Sequence, residues 1–125
     1  MKHKVLLIED DNVLSSALKD FLELCEFQVS TVENAQLGLE EFLKGGYEVV
    51  ITDIKMPGKI DGIDVVRRIK AFRPNTLIIA CTGYSSDLNS IENLAHKIIK
   101  KPFNFADMLK LIRVNLKEIS AESVK

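Results

Sequence analysis

The chain has 125 residues, of which 46% are hydrophobic, and this is the usual size and composition of one globular domain. Its 17 basic residues nearly balance its 18 acidic residues, so the charge favours neither nucleic acid nor an anionic membrane as a partner. No apolar run approaches the roughly 20 residues of a membrane-spanning helix, and none near the N-terminus resembles a secretory leader. We therefore expect a cytoplasmic domain whose partner is a protein or a small ligand.

Short apolar runs alternate along the chain with longer amphipathic stretches. Five runs are too short for helices and mostly rich in branched residues, which predicts strands at residues 5–8, 27–32, 49–51, 77–80 and 98–99. Apolar residues three and four positions apart predict helices at about residues 14–25, 35–43, 66–72, 88–95 and 105–119. Asn34 is placed to cap the second helix, Gly45 and Gly46 to end it, and Pro74 follows the third.

The regular alternation of strand and helix predicts a doubly wound α/β fold. The strands are hydrophobic enough to be covered on both faces, which is typical of a parallel sheet with helices on each side. We assign residues 1–120 to this one domain and residues 121–125 to a polar tail that frays.

Carboxylate, hydroxyl and ammonium groups follow four of the five predicted strands. The first strand is followed by Glu9 and Asp10, the third by Asp53, the fourth by Thr82 and the fifth by Lys101. Because the carboxyl ends of parallel strands meet at one edge of the sheet, where open α/β folds bind ligands, we expect these side chains to lie together.

This set of side chains is suited to a phosphoryl group and a hard metal ion. Three carboxylates in one place repel each other unless a cation lies among them, and oxygen ligands without His or Cys favour Mg²⁺. A phosphoryl group on Asp53 needs its negative charge balanced by the metal and by a cation such as Lys101. The Thr82 hydroxyl and backbone N–H groups near Lys55 and Gly83 would donate hydrogen bonds to it.

Five motifs together resemble the receiver domains of bacterial-type response regulators, the CheY-like family. They are VLLIEDD at 5–11, VITDIKMPG at 50–58, DG at 61–62, IIACTG at 78–83 and KPF at 101–103. The resemblance covers nearly the whole chain, and it implies a five-stranded parallel sheet in the order 2-1-3-4-5.

The resemblance also implies a role for each site residue. Asp53 is the phospho-acceptor, Thr82 the switch hydroxyl and Lys101 the lysine that pairs with the phosphate, joined to Pro102 by a cis peptide bond. The implied Mg²⁺ ligands are Glu9, Asp10, Asp53 and the backbone carbonyl of Lys55. The implied partners are a sensor histidine kinase or a phosphotransfer protein and an unknown output protein, without direct contact with nucleic acid or membrane.

Three features depart from the family pattern. The loop after Asp53 is one residue longer, with Lys59 and Ile60 before Asp61. The span from Thr82 to Lys101 is about three residues shorter than usual, which predicts a short fourth helix. Ile98 stands where the family usually has an aromatic residue. We expect β-branched Ile98 to stay buried both with and without a phosphoryl group on Asp53. Any switch between these two states should then run through the backbone after Thr82 and residues 86–95.

Three functional classes are compatible with these residues to different degrees. A phosphorylation-dependent signalling switch in a phosphorelay, which catalyses only its own phosphorylation and dephosphorylation, uses every site residue. A phosphorylation-independent interaction module would keep the fold but has no need of the complete acidic set. A phosphohydrolase similar to the haloacid dehalogenase family would carry a second Asp two positions after the first, where this chain has Lys55.

Other reactive residue types favour structural interpretations. Cys25 and Cys81 lie in apolar surroundings without CxxC spacing, which is typical of buried small hydrophobic residues. His3 and His96 are far from the predicted site edge, so we expect surface positions. Lys100 is expected to be solvated, because adjacent residues of a strand point to opposite faces.

Overall fold

A computed structural model describes residues 2–56, 58–83 and 97–124, with side chains through residue 117. Within these residues, five strands and four helices are described. The strands are β1 (Lys4–Ile8), β2 (Gln28–Val32), β3 (Val49–Asp53), β4 (Leu77–Thr82) and β5 (Lys97–Lys100). The helices are α1 (Asn12–Leu24), α2 (Ala35–Leu43), α3 (Gly62–Phe72) and α4 (Phe105–Val124). The helix predicted at residues 88–95 and His96 lie outside the described residues.

All five strands form one parallel sheet in the order β2-β1-β3-β4-β5, as expected. In the central ladders Ile8 pairs with Thr52 and Asp53 pairs with Cys81. Because the strands are parallel and in this register, their carboxyl ends, and the polar residues that follow them, lie at one edge of the sheet.

Alternate residues of each strand build two cores, one on each face of the sheet. Leu6, Ile8 and Val50 face one side, where they pack with residues of α2 and α3. Their neighbours Val5 and Leu7 face the other side and pack with residues of α1 and α4. Burial on both faces explains why the strands read as continuous apolar runs rather than as alternating ones.

Side-chain caps begin the first three helices. Asp11 caps α1 by accepting hydrogen bonds from the backbone N–H groups of Val13 and Leu14, and Asn34 caps α2 in the same way. Asp61 caps α3 within a reciprocal capping box that includes Asp64. The predictions of an N-cap at Asn34 and of a helix end before Gly45 and Gly46, both at positive φ, are confirmed.

Two element ends differ by four residues or more from the sequence-based bounds. The third helix begins at Gly62, four residues before the predicted start, because its cap is Asp61 rather than an apolar position. The last helix continues to Val124, through residues that we assigned to a fraying tail. Within the described residues, no helix has both the length and the apolar character needed to cross a membrane.

Candidate functional site

The carboxylates of Glu9, Asp10 and Asp53 meet at the carboxyl edge of the sheet. Each of the three offers an oxygen within 4.8 Å of the others. Glu9 is buried, Asp53 is mostly buried and Asp10 is exposed, so the cluster has a deep side and a side open to solvent. An all-oxygen donor set of this size fits the preference of Mg²⁺ for carboxylates, with the open side left for water or phosphate oxygens.

Lys101 supplies the positive charge of the site. Its Nζ lies 2.5 Å from Glu9 Oε1 and 3.0 Å from Asp53 Oδ2. The backbone N–H of Lys101 donates to the carbonyl of Thr82, which holds Lys101 at the end of β4. The peptide bond from Lys101 to Pro102 is cis, as expected. Lys100, its neighbour in the chain, is exposed. Lys101 thus contacts Asp53, whereas its pairing with a phosphoryl group stays a prediction.

Burial and charge act in opposite directions on the two most enclosed groups. Burial raises the pKa of Glu9, and the negative charge of Asp53 adds to that rise, whereas hydrogen bonds from Lys101 and the Asp11 N–H oppose it. Burial lowers the pKa of Lys101, but hydrogen bonds to Glu9 and Asp53 outweigh it, and the pKa lies above its ordinary value. The ammonium therefore stays charged and compensates two carboxylates at once.

The ion pair between Lys101 and Glu9 was not foreseen from the sequence. Lys101 was expected to pair with a phosphoryl group on Asp53, whereas its shorter contact is with Glu9. The signal available was the position of Glu9 directly after a buried strand, since a carboxylate that is only 4% exposed requires a charged or hydrogen-bonding partner.

Asp11 does not contribute to the carboxylate cluster. Its side chain accepts from the N–H groups of α1, and its own N–H donates to Glu9 Oε2 at 3.1 Å. Asp11 thus begins the helix and holds the Glu9 carboxylate in place.

The remaining predicted site residues lie at the ends of β3 and β4. Thr82 is buried at the end of β4, one residue beyond the Cys81 that pairs with Asp53. Lys55 is exposed in the loop two residues after Asp53. Lys55 is thus close to Asp53 in the chain, and Thr82 is close to Asp53 across the ladder of β3 and β4. The roles of both residues stay predictions.

Gly62 lies beside the site, although the DG motif at 61–62 did not predict a role for it. A Cβ on Gly62 would lie 2.0 Å from the carbonyl oxygen of Asp53 and 2.6 Å from Cα of Ile54. The N–H of Gly62 also donates to the carbonyl of Ile54 at 3.0 Å. Helix α3 therefore rests directly on the backbone of Asp53, and only glycine allows this approach.

The departures from the family pattern have defined positions. In the longer loop, Lys59 is exposed, whereas Ile60 is half-buried against the core beneath α2 and α3. The added length therefore leaves an apolar residue packed inward. Ile98 is also half-buried rather than fully buried, and it packs against the same core.

The cysteines and His3 largely agree with their structural interpretations. Cys81 is buried, and burial raises the pKa of its thiol to about 12. Cys25 is only partly buried, because it lies at the exposed end of α1, so its predicted burial is half right. His3 is exposed and its Nδ1 lies 2.5 Å from Glu48 Oε2, away from the carboxylate cluster.

Comparison with known proteins decides the family. The model of the response regulator receiver domain matches residues 5–113, which include every candidate site residue. The chain belongs to the response regulator receiver domain family. Receiver domains are signalling modules of two-component systems, and phosphorylation and magnesium binding are standard for the family. The predicted family, fold and strand order are thereby confirmed.

Solved receiver domains closely resemble this one. A CheY-like receiver domain from Methanospirillum hungatei is 27% identical, covers 98% of this chain and 99% of its own, and superposes with a TM-score of 0.89. The response regulator TrrA from Thermotoga maritima, solved in complex with Mg²⁺ and BeF, is 30% identical, with coverage of 92% and 99% and a TM-score of 0.84.

The curated relatives are longer than this chain. A cyclic di-GMP phosphodiesterase from Thermotoga maritima is 33% identical over 115 residues, which are 90% of this chain but 29% of that protein. The chain spans about half or less of the length of three curated relatives that it matches. The similarity thus concerns the receiver domain that these proteins share.

Proposed function

We propose that Asp53 accepts a phosphoryl group from the phosphohistidine of a sensor histidine kinase or a phosphotransfer protein. The observation that carries the proposal is the meeting of Asp53 with Glu9 and Asp10 within 4.8 Å and with the ammonium of Lys101 at 3.0 Å. Asp53 is thereby the one carboxylate that touches both the candidate metal ligands and the cation while keeping access to solvent at its open side.

The proposed transfer exchanges one bond to phosphorus for another. A carboxylate oxygen of Asp53 attacks the phosphorus, the P–N bond to the donor imidazole breaks, and an O–P bond forms. The other ring nitrogen of the phosphohistidine carries a proton, so the imidazole keeps the electron pair of the broken bond and leaves as a neutral group. Lys101 and the Thr82 hydroxyl donate to the phosphoryl oxygens, where negative charge is concentrated.

Mg²⁺ fits the acidic cluster, and the ligands that we propose are Glu9, Asp10, Asp53 and the backbone carbonyl of Lys55. Bound there, Mg²⁺ supplies positive charge that offsets the repulsion between the carboxylates and an incoming phosphoryl group. Glu9 keeps its hydrogen bond from the Asp11 N–H, which orients its carboxylate toward the cluster. The exposed Asp10 supplies the ligand on the solvent side.

The chain catalyses only its own phosphorylation and dephosphorylation in this proposal, and the phosphoryl group switches a surface that binds an output protein. The phosphorylation-independent module remains the alternative, and the complete ionic site around Asp53 supports the switch over it. The cytoplasm, where kinases with phosphohistidine act, is the proposed location.

Mass spectrometry after incubation with acetyl phosphate tests the proposal directly. We expect the wild-type protein to gain one phosphoryl group in the presence of Mg²⁺ and almost none with EDTA. The Asp53→Asn variant should gain none, whereas Asp11→Asn, which keeps a capping side chain on α1, should still be modified. Modification that persists in Asp53→Asn would falsify the assignment, and a wild type that is never modified would favour the interaction module.

A further inference from the structure

Large apolar side chains are exposed where helices α2 and α3 end side by side. Leu43 at the end of α2 is 63% exposed, and Phe72 at the end of α3 is 58% exposed. Between them lies a cavity of about 220 Å³, which we call the α2/α3 groove, lined by Leu39, Phe42, Leu43, Arg68, Ile69 and Phe72. Five of these six residues are apolar, and the buried Phe42 forms an edge-on aromatic contact with Phe72.

Arg68 lines the groove, and the guanidinium of Arg73 lies over the ring of Phe72 at its edge. The second half of α3 and the residue after it carry four basic side chains and no acidic one, at Arg67, Arg68, Lys70 and Arg73. In the part of the chain with described side chains, none of the four is in an ion pair. On α2, Glu41 is already engaged, because it accepts a hydrogen bond from Tyr47 and pairs with Lys44.

We propose that the α2/α3 groove binds an acidic amphipathic protein segment, which inserts an apolar side chain between Leu43 and Phe72 and places carboxylates near Arg68 and Arg73. The apolar lining favours a partner with a hydrophobic anchor, and the unpaired arginines favour one with negative charge. Helix-in-groove recognition has this combination of anchor and flanking charge.

Nucleic acid is a poorer match to the same surface. A base would have to stack on Phe72, but the guanidinium of Arg73 lies 5.5 Å from the centroid of that ring. The other aromatic residue of the groove, Phe42, is buried. The surface therefore offers a hydrophobic slot with a charged border rather than an open stacking platform.

The groove is separate from the phosphorylation site. Helix α3 contacts the acceptor backbone at Gly62, and Phe72 lies ten residues further along, about 15 Å away at the rise of an α-helix. Binding at the groove consequently requires neither Asp53 nor a metal ion. Binding at the groove can therefore fail while the proposed function holds, and the proposed function can fail while binding at the groove holds.

A defined peptide tests the groove. The probe is a 15-residue peptide with leucines three and four positions apart among glutamates and alanines, and its partner probe has lysine at every glutamate position. We expect the glutamate peptide to bind saturably and to shift backbone amide NMR signals mainly in α2 and α3. The lysine peptide should bind at least about tenfold more weakly, and added salt should weaken only the glutamate peptide.

Matched variants assign the binding to the groove. Phe72→Ser and Leu43→Ser should each weaken the glutamate peptide at least about tenfold, whereas Leu24→Ser, at a leucine that is 86% exposed on α1, should have no effect. Arg68→Glu should weaken it similarly, whereas Arg113→Glu, at an exposed arginine of α4, should not. Thermal unfolding of each variant confirms that the fold is intact, and Asp53→Asn should bind as the wild type does.

Three outcomes would overturn the proposal. One is equal binding of the two peptides, or shifts outside α2 and α3. Another is a wild-type dimer in sedimentation equilibrium that Leu43→Ser dissociates, since a second copy would then be the occupant. The third is a DNA duplex that binds more tightly than the glutamate peptide and is lost in Arg68→Glu.

Discussion

Lys101 and Lys100 are adjacent in the chain, yet only Lys101 reaches the carboxylates. Lys101→Ala removes the donor that lies 3.0 Å from Asp53, and we expect the rate of phosphorylation by acetyl phosphate to fall by about 100- to 1000-fold, a loss typical of one preorganised donor. Lys100→Ala, at an exposed position, is the matched control and should leave the rate unchanged. Equal losses in the two variants would show that the register of β5 is wrong.

Glu9 links pH to the stability of the metal-free protein. Its pKa is raised chiefly by burial, so the folded state binds a proton at Glu9 more tightly than the unfolded state does. The contribution of Glu9 to stability therefore falls as pH rises from the ordinary glutamate range through the raised pKa. Glu9→Gln has no charge to bury at this position. The free energy of unfolding of Glu9→Gln minus that of the wild type should therefore grow as pH rises from 5 to 7.5.

Urea unfolding in EDTA at both pH values measures this difference. Glu23→Gln, on the exposed face of α1, is the control and should follow the wild type at both pH values. A difference between Glu9→Gln and wild type that is constant with pH, or that shrinks as pH rises, would contradict the desolvation of Glu9.

The contact of α3 with β3 depends on one missing side chain. Gly62→Ala places a Cβ against backbone atoms of Asp53 and Ile54, which cannot rotate away, so the start of α3 must shift. We expect a loss of about 1–3 kcal/mol in the free energy of unfolding, as for other overpacked sites. Gly83→Ala, where a Cβ would meet no atom of the described residues within 4 Å, is the control and should be near neutral. Chemical denaturation measures both, and equal stabilities would refute the contact.

The strands and the site were predicted from sequence to different depths. Apolar runs predicted five strands because burial on both faces leaves a continuous hydrophobic signal. The runs stopped short of Asp53 and Thr82, which nevertheless belong to β3 and β4, because pairing with a neighbouring strand extends past the last apolar residue. The local sequence pattern does not show which residues pair with a neighbouring strand.

Long-range contacts explain the other differences. The ion pair of Lys101 with Glu9 joins residues 92 positions apart, and the sequence indicated that both lie at the site edge but not which atoms meet. The close approach of Gly62 likewise depends on where α3 settles on β3. The resemblance supplied the roles of Asp10, Asp53 and Lys101, whereas the distances among them required the fold.

The parallel sheet separates two surfaces of the molecule. Its carboxyl edge gathers the acidic cluster and Lys101, whereas the α2/α3 groove lies toward the other end of α3. Helix α3 contacts both, through Gly62 at its start and Phe72 at its end. A receiver domain built in this way has room for a partner at the groove while a phosphodonor approaches Asp53.

Mg²⁺ should stabilise the whole domain, because it binds the folded carboxylate cluster and not the unfolded chain. At a concentration 100 times its dissociation constant, a ligand of this kind adds about 2.7 kcal/mol to the free energy of unfolding. Thermal unfolding should therefore show a melting temperature that rises with Mg²⁺ concentration. In the described residues Asp10 has no ion pair, so Asp10→Asn removes a proposed metal ligand without breaking an ion pair.

We expect Asp10→Asn to abolish most of this Mg²⁺-dependent rise. Without metal, Asp10→Asn should melt at or above the wild-type temperature, because Lys101 compensates Glu9 and Asp53 but leaves the charge of Asp10 unopposed. Asp20→Asn, at an exposed acid of α1, should keep the full response to Mg²⁺. If Asp10→Asn and wild type respond equally to Mg²⁺, the metal does not bind at the cluster of Glu9, Asp10 and Asp53.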